Sequence, residues 1–155
     1  LRARCGNPGA YEQVIVRLAE IDAPEKAQAF GQRSKEHLSS LCFNLQATIK
    51  PIARDRYGRT VARVECRGKD ANVDQVRAGM AWAYTRYQTD PQFSPLERRA
   101  RAARAGLWRD SAPIAPWEFR RAPPATIAPE ANGCIIGPKG GRYMLLASGQ
   151  KRYGC

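Results

Sequence analysis

Residues 11–25 read YEQVIVRLAEIDAPE and combine a short β-strand with a proline turn. Residues 11–19 are predicted to form a β-strand with one buried face. The buried face is predicted to hold Val14, Val16 and Leu18. Because neighbouring strand residues point to opposite faces, Arg17 is expected on the open face, where a ligand can reach it. Pro24 ends the strand and favours the first turn of a helix.

Two acidic residues lie in the proline turn, Asp22 and Glu25. Their spacing allows both carboxylates to converge on one point. A second polar segment, DRYGR at residues 55–59, adds the phenol of Tyr57 and the guanidinium of Arg59 on a predicted turn. Phosphodiester hydrolysis uses such groups, since carboxylates hold a divalent cation or orient a water molecule and arginines stabilise the charged transition state.

The same residues also fit a purely structural interpretation. Asp22 can cap the following helix, Glu25 suits the positive N-terminal end of that helix, and Arg17 can pair with either carboxylate. The spacing by itself leaves both interpretations open.

The rest of the pattern predicts an α+β domain with the element order β-β-α-β-β-α-α, which is typical of a small barrel with packed helices. Pro51 favours an edge position or a bulge for its strand. Asn72 and Ser94 suit helix N-caps, and Gly79 and Gly106 suit the corresponding helix ends. The elements predicted after the proline turn are a helix over residues 26–42, strands over 46–52 and 60–66, and helices after Asn72 and Ser94.

The chain carries 26 Lys and Arg against 14 Asp and Glu, a formal net charge of +12 over 155 residues. Arginine dominates, with 20 residues against 6 lysines. Such a basic small domain suggests a polyanionic partner, most often nucleic acid, although a solvated basic surface is the alternative. For the arginines of the last predicted helix, Arg98, Arg101 and Arg104, a solvated face is favoured. The single histidine excludes sites that need two imidazoles, and no apolar run reaches the roughly 18 residues of a membrane span.

The five cysteines form no Cys-x-x-Cys pair and no cluster with histidine, which argues against a zinc site. Disulfides in an oxidising compartment are predicted, Cys134 with Cys155 and Cys42 with Cys66, while Cys5 is left without a partner. Buried free thiols are the alternative. The expected location is therefore secreted or periplasmic.

Four segments occur in a distinctive order: RLAEIDAPE, DRYGR, a Gly-Met-Ala-Trp segment, and an arginine-rich helix that ends in Gly-Leu-Trp. Over about residues 11–110 this order resembles the thermonuclease, or staphylococcal nuclease-like, family. The resemblance implies an OB-type five-stranded β-barrel with three helices, in a domain over residues 1–110. It also implies calcium-dependent endonucleolytic cleavage of DNA and RNA that leaves 3′-phosphates.

The resemblance assigns roles to five residues of the two polar segments. Arg17 resembles the family arginine that contacts the scissile phosphate, and Arg59 resembles the second phosphate arginine, which also assists the leaving group. Glu25 resembles the carboxylate that acts as general base. Asp22 resembles a Ca²⁺ ligand, and the backbone carbonyl of Ala23 occupies the place of another.

Three tyrosines match positions at which the family contacts its substrate: Tyr57 at a phosphate, and Tyr84 and Tyr87 at a base or the terminal phosphate. Ordinary packing is the alternative for Tyr84. The family also has a second calcium aspartate in a Gly-Asp-Thr turn one strand upstream, which has no match before Arg17. A Gly-Asp-Thr just before Leu1 would favour the enzyme. Its absence would favour a catalytically silent nucleic-acid-binding OB-fold module.

The C-terminal part lies outside the resemblance. Residues 111–132 are rich in proline and alanine and predict a linker, and residues 133–155 predict a small disulfide-stapled β-hairpin unit. The glycines at 137–140 are interpreted as the hairpin turn. An interaction or envelope-scaffold role for this tail, and basic binding to anionic envelope surfaces, are the remaining alternatives. A monomer is favoured.

Overall fold

The computed structural model describes residues 1–6, 9–121, 135–136, 142–145 and 151–153. The chain divides into two compact units, Leu1–Phe119 and Arg120–Cys155. In chain order the elements up to residue 121 are β1 (Arg2–Cys5), β2 (Glu12–Leu18), β3 (Ile21–Asp22), α1 (Gly31–Cys42), β4 (Ala47–Arg54), β5 (Thr60–Cys66), β6 (Lys69–Asp70), α2 (Ala71–Arg77), β7 (Trp82–Ala83), α3 (Phe93–Ala102) and α4 (Pro116–Arg121), with 3₁₀ turns at Thr85–Tyr87 and Gly106–Arg109. None of the helices described is long and apolar enough to cross a membrane.

The main sheet has five strands in the order β1-β2-β5-β4, with β6 also paired to β5. β2 and β5 run parallel, and the other pairs are antiparallel. The α+β class is therefore confirmed. Within the described residues β1 and β4 are the edges and do not pair with each other, so the sheet is open rather than a closed barrel. The register of edge strand β4 shifts between Pro51 and Ala53, as the proline predicted.

Helix α1 begins at Gly31 and not near Lys26, as the sequence had suggested. Residues 26–30 form turns instead, because Phe30 adopts a left-handed backbone conformation with φ of 65°. Gly31 then packs closely on the preceding turn. A Cβ at this position would lie 2.0 Å from the carbonyl oxygen of Glu25, so the close approach requires glycine.

The predicted N-cap of α2 was wrong. Asp70 caps this helix by accepting a hydrogen bond from the backbone N–H of Val73 at 3.0 Å. Asn72 is instead fully buried, and its amide accepts from Val64 N–H at 2.9 Å and donates to the carbonyl of Ala19 at 2.9 Å. A buried amide needs such partners, and here they tie the end of β2 to β5.

Helix α3 also begins earlier than predicted, at Phe93 with Gln92 as N-cap. Ser94 does not cap it, since its hydroxyl donates to the side-chain carbonyl of Gln88 at 2.9 Å. The carboxylate of Glu97 accepts from the backbone N–H of Ala83 at 2.6 Å. The side chains of Ser94 and Glu97 therefore hold residues 83–88 rather than the start of α3.

Three groups of buried residues form the core of the first unit. One joins the main sheet to α1 around Val64, a second packs α2 and α3 on β3 and β7 around Phe93, and the third contains Trp82 and Trp108. Arg101 lies over the ring of Trp108 at 4.1 Å rather than on a purely solvated face, because aromatic faces attract guanidinium groups. Arg98 and Arg104 are exposed.

In the structure Cys42 and Cys66 form a disulfide with Cα atoms 5.4 Å apart, joining the ends of α1 and β5. Within the part of the chain that the structure describes, Cys5 forms no disulfide and is partly buried. Cys134 and Cys155 lie outside the described residues, so their pairing stays a prediction.

The second unit contains β8 (Ile135–Ile136), β9 (Arg142–Leu145) and β10 (Lys151–Tyr153) in an antiparallel sheet of order β10-β9-β8. β8 pairs with β9 as the sequence suggested, and β10 adds a strand that the pattern did not predict. The boundaries of the linker and of the C-terminal unit stay predictions, and α4 falls inside the predicted linker range.

Candidate active site

Arg17 lies near the end of β2 and is half-buried. Its guanidinium carbon is 5.4 Å from the ring centroid of Tyr84, so the structure brings these two predicted site residues together. Tyr87 completes a group of three, with its ring edge-on to Tyr84 at 5.3 Å and 62% of the residue exposed. An arginine beside two phenol rings that meet edge-on presents both a phosphate donor and flat aromatic surfaces to a nucleotide.

Asp22 is placed beside this group by strand pairing. β3 runs antiparallel to β7, with Ile21 opposite Ala83 and Asp22 opposite Trp82. The backbone N–H of Tyr84 donates to the carbonyl of Glu20 at 2.8 Å, which extends the same pairing. The backbone of Asp22 is therefore held next to the segment that carries Tyr84, and the residue is only 6% exposed.

Glu20 is a site residue that sequence reasoning missed. It is 7% exposed, has a left-handed φ of 71°, and its carboxylate accepts from the backbone N–H groups of Thr89 at 2.9 Å and Asp90 at 3.2 Å, as well as from the Thr89 hydroxyl. These bonds anchor the far end of residues 84–90. A charged residue between two apolar ones in RLAEID was the available signal, but its partners lie about seventy residues away in sequence.

Arg59 is held by the turn over residues 55–59. The carboxylate of Asp55 accepts from the backbone N–H groups of Tyr57 and Arg59, both at 2.9 Å, and from Arg59 Nε at 2.6 Å. Desolvation alone would raise the pKa of Asp55, but these hydrogen bonds and the nearby guanidinium hold that pKa below its usual value. Asp55 is thus a second residue with a positioning role that sequence reasoning did not assign.

The phenol of Tyr57 is exposed on the same turn. Its ring faces the guanidinium groups of Arg56 at 5.0 Å and Arg59 at 5.4 Å. The turn therefore displays two cations and one aromatic face to solvent, which is a combination suited to a phosphate or a base.

The parallel register of β2 and β5 relates the two arginines. Arg17 lies opposite Val61, and Arg59 precedes Val61 by two residues. Arg59 itself lies in the turn, one residue before β5 begins at Thr60. The pairing therefore brings the turn that holds Arg59 beside the strand that holds Arg17.

Glu25 follows β3 in a turn closed by Gln28. The backbone N–H of Gln28 donates to the carbonyl of Glu25 at 2.9 Å, and the Gln28 side chain accepts from the Glu25 N–H at 3.1 Å. Glu25 is half-buried and lies three residues after Asp22 in the turn that joins β3 to α1.

The donor set for a metal ion is small. In the part of the chain that the structure describes, no group of three or more His, Cys, Asp or Glu side chains could hold a metal. Asp22, Glu25 and the Ala23 carbonyl offer hard oxygen atoms, which suit Ca²⁺ or Mg²⁺ rather than a thiophilic metal. Because Ca²⁺ takes about six to eight oxygen ligands, these groups supply a minority of a shell that water and substrate oxygens can share.

Comparison with known proteins shows the family to which the chain belongs. Residues 15–110 match the family described as staphylococcal nuclease homologue. The chain is 46% identical over 110 residues to an uncharacterized endonuclease of Haemophilus influenzae, covering 71% of this chain and 62% of that protein. It is 40% identical over 122 residues to a micrococcal nuclease of Shigella flexneri, covering 72% of this chain and 70% of that protein.

The chain therefore belongs to the staphylococcal nuclease family. It spans 62% of the length of the Haemophilus influenzae relative. The family match ends at residue 110, so the residues from Ser111 onward, including α4, lie beyond it.

Proposed function

We propose that the protein is a metal-dependent nuclease that hydrolyses phosphodiester bonds in DNA and RNA. The carrying observation is that Arg17 lies on a strand paired in parallel with the strand that follows Arg59, and that its guanidinium lies against Tyr84, in the segment that backbone pairing joins to β3 and Asp22. Relatives that bear the names endonuclease and micrococcal nuclease support this proposal.

The two arginines act on the phosphate. Each guanidinium offers several N–H donors to phosphate oxygens, and bidentate bonds of this kind are both strong and directional. The attacked phosphorus gains negative charge in the transition state, so prearranged donors stabilise it more than the ground state. Arg59, in the turn over residues 55–59, is the proposed hydrogen-bond donor to the leaving oxygen.

Glu25 is the proposed general base. It takes a proton from a water molecule whose oxygen forms the new bond to phosphorus, while the bond from phosphorus to the 5′-oxygen breaks. The leaving 5′-oxygen takes up a proton from solvent water, so the products are a 3′-phosphate and a 5′-hydroxyl. A Ca²⁺ ion held by Asp22 and the carbonyl of Ala23 would supply positive charge to the phosphate.

Tyr57, Tyr84 and Tyr87 are proposed as substrate contacts, because each has an arginine guanidinium within 6 Å of its ring. Stacking on such rings tolerates any base, which fits cleavage with little sequence preference. The net charge of +12 supports fast capture of nucleic acid and predicts that affinity falls steeply with salt.

We also propose that the protein is secreted or periplasmic, on the strength of its cysteines, that it is a monomer, and that its sheet follows the OB-type path of the family. A catalytically silent nucleic-acid-binding module is not favoured, because the relatives reported above carry nuclease names.

The decisive experiment measures release of acid-soluble nucleotides from DNA and RNA by the full chain, with Ca²⁺ and with chelator. We expect activity only with the ion. Arg59→Ala should reduce kcat by about 10²–10³, the usual cost of losing one transition-state donor. Arg98→Ala is the matched control, since it removes one exposed arginine from α3. Equal activity of the two variants would contradict the proposed role of Arg59.

A further inference from the structure

Trp117 lies on α4, beyond the family match, and packs against the candidate site. Its ring stacks on Tyr84 with centroids 5.4 Å apart and an interplanar angle of 26°. It also meets Trp82 edge-on at 5.5 Å. Tyr84 is the residue whose ring lies under the guanidinium of Arg17, so one phenol connects Arg17 to Trp117.

Further contacts hold the residues just before Trp117 in place. Ala115 is 3% exposed and belongs to the core group of Trp82 and Trp108. The carbonyl of Ile114 accepts from the Gln28 side chain at 2.6 Å, and the same side chain accepts from the backbone N–H of Glu25. Residues 114–117, which we term the Trp117 brace, are therefore fastened both to the turn of Glu25 and to β7.

We propose that the Trp117 brace is a positioning element for the nuclease reaction, in which Trp117 holds the Tyr84 ring against Arg17 and so orients the guanidinium that binds the scissile phosphate. This inference rests on the proposed function. An arginine side chain has many rotamers, and binding a phosphate with a mobile one costs conformational entropy. A ring that is itself stacked keeps Arg17 in one arrangement before substrate arrives.

The first test needs no substrate. NMR of the full chain follows the Nε–Hε signal of Arg17, which the Tyr84 ring current shifts. We expect Trp117→Leu to move this signal and Trp117→Phe, which keeps an aromatic ring, to restore most of its position. Phe43→Leu is the control, because Phe43 is 71% exposed and is also an aromatic residue. An unchanged Arg17 signal in Trp117→Leu would overturn the inference.

The second test is kinetic and uses a double-mutant cycle. Trp117→Leu should lower kcat/KM about fivefold to tenfold, as expected for a misplaced catalytic group, while the variant still melts cooperatively. In a Tyr84→Leu background the same substitution should cost less than about twofold, because its route to Arg17 is already lost. Equal losses in the two backgrounds, or no loss in the parent, would show that Trp117 does not act through Tyr84.

The two tests separate failure of the inference from failure of the proposed function. If the parent chain does not hydrolyse DNA or RNA with any divalent cation, the proposed function is wrong. The NMR comparison of Trp117→Leu, Trp117→Phe and Phe43→Leu then decides by itself whether Trp117 positions Arg17.

Discussion

Arg17 and Arg59 are held in place by different means. Arg59 is held within a five-residue turn, where Asp55 binds both its backbone and its side chain. Arg17 depends on Tyr84, which is 67 residues away in sequence and is itself held through Glu20 and Trp117. Changes in distant elements should therefore disturb Arg17 and leave Arg59 in place, whereas a change in Asp55 should do the opposite.

Among the changes that affect the surroundings of Arg17, Glu20→Ala is expected to lower the stability of the protein most. The buried carboxylate binds two backbone N–H groups and one hydroxyl of residues 89–90, and removing it should lower the free energy of unfolding by about 3 kcal/mol. Denaturant unfolding measures this loss. Glu20→Gln keeps an acceptor oxygen and should lose less, and Glu12→Ala, at an exposed position, should lose almost nothing. Similar losses for Glu20→Ala and Glu12→Ala would refute the anchoring role.

A smaller effect is expected from Gly31→Ala, which tests the turn that carries Glu25. The added Cβ would lie 2.0 Å from the Glu25 carbonyl oxygen, so the turn must move, at a cost of about 2 kcal/mol. Nuclease activity should fall more than stability alone explains, because Glu25 is displaced. Ser39→Ala, at an exposed position of the same helix, is the control. Unchanged stability and activity would show that the close approach has no consequence.

The smallest effect on stability is expected from Asp55→Asn, which tests how Arg59 is held within its own turn. The pKa of Asp55 is lowered in the folded chain, so its favourable contribution is present above the usual aspartate pKa and is lost as the pH falls through the lowered value. Stability of the parent measured against pH should show this loss in acid, and Asp55→Asn should weaken that dependence. The Arg17 NMR signal should stay unchanged in this variant. A shift comparable to that of Trp117→Leu would contradict the conclusion that Arg17 and Arg59 are positioned independently.

Local sequence patterns predicted the structure well where the interactions are themselves local. The sequence of residues 11–19 correctly predicted β2, and DRYGR correctly predicted a turn. The predicted caps Asn72 and Ser94 were wrong because their side chains bind groups outside the first turn of their own helices. Asn72 binds the ends of β2 and β5, and Ser94 binds Gln88. A cap preference is worth about 1 kcal/mol, which a buried amide with several partners exceeds.

For the candidate site too, local features were visible in the sequence and long-range contacts were not. The residue types in the turn of Asp22 and Glu25 and in the turn over residues 55–59 suggested phosphodiester chemistry. Their spacing along the chain was visible without coordinates. The contributions of Glu20, Gln28 and Trp117 were not visible, since each acts through a partner far away in sequence.

By itself, then, the order of residues determined the strand, the two polar turns and the basic character of this protein, because backbone sterics and short-range hydrogen bonds act within a few residues. Only the tertiary structure determined that Tyr84 lies beneath Arg17 and that Trp117 stacks on Tyr84. Such contacts follow from strand register and from burial of large aromatic surfaces, and both are properties of the whole packed chain.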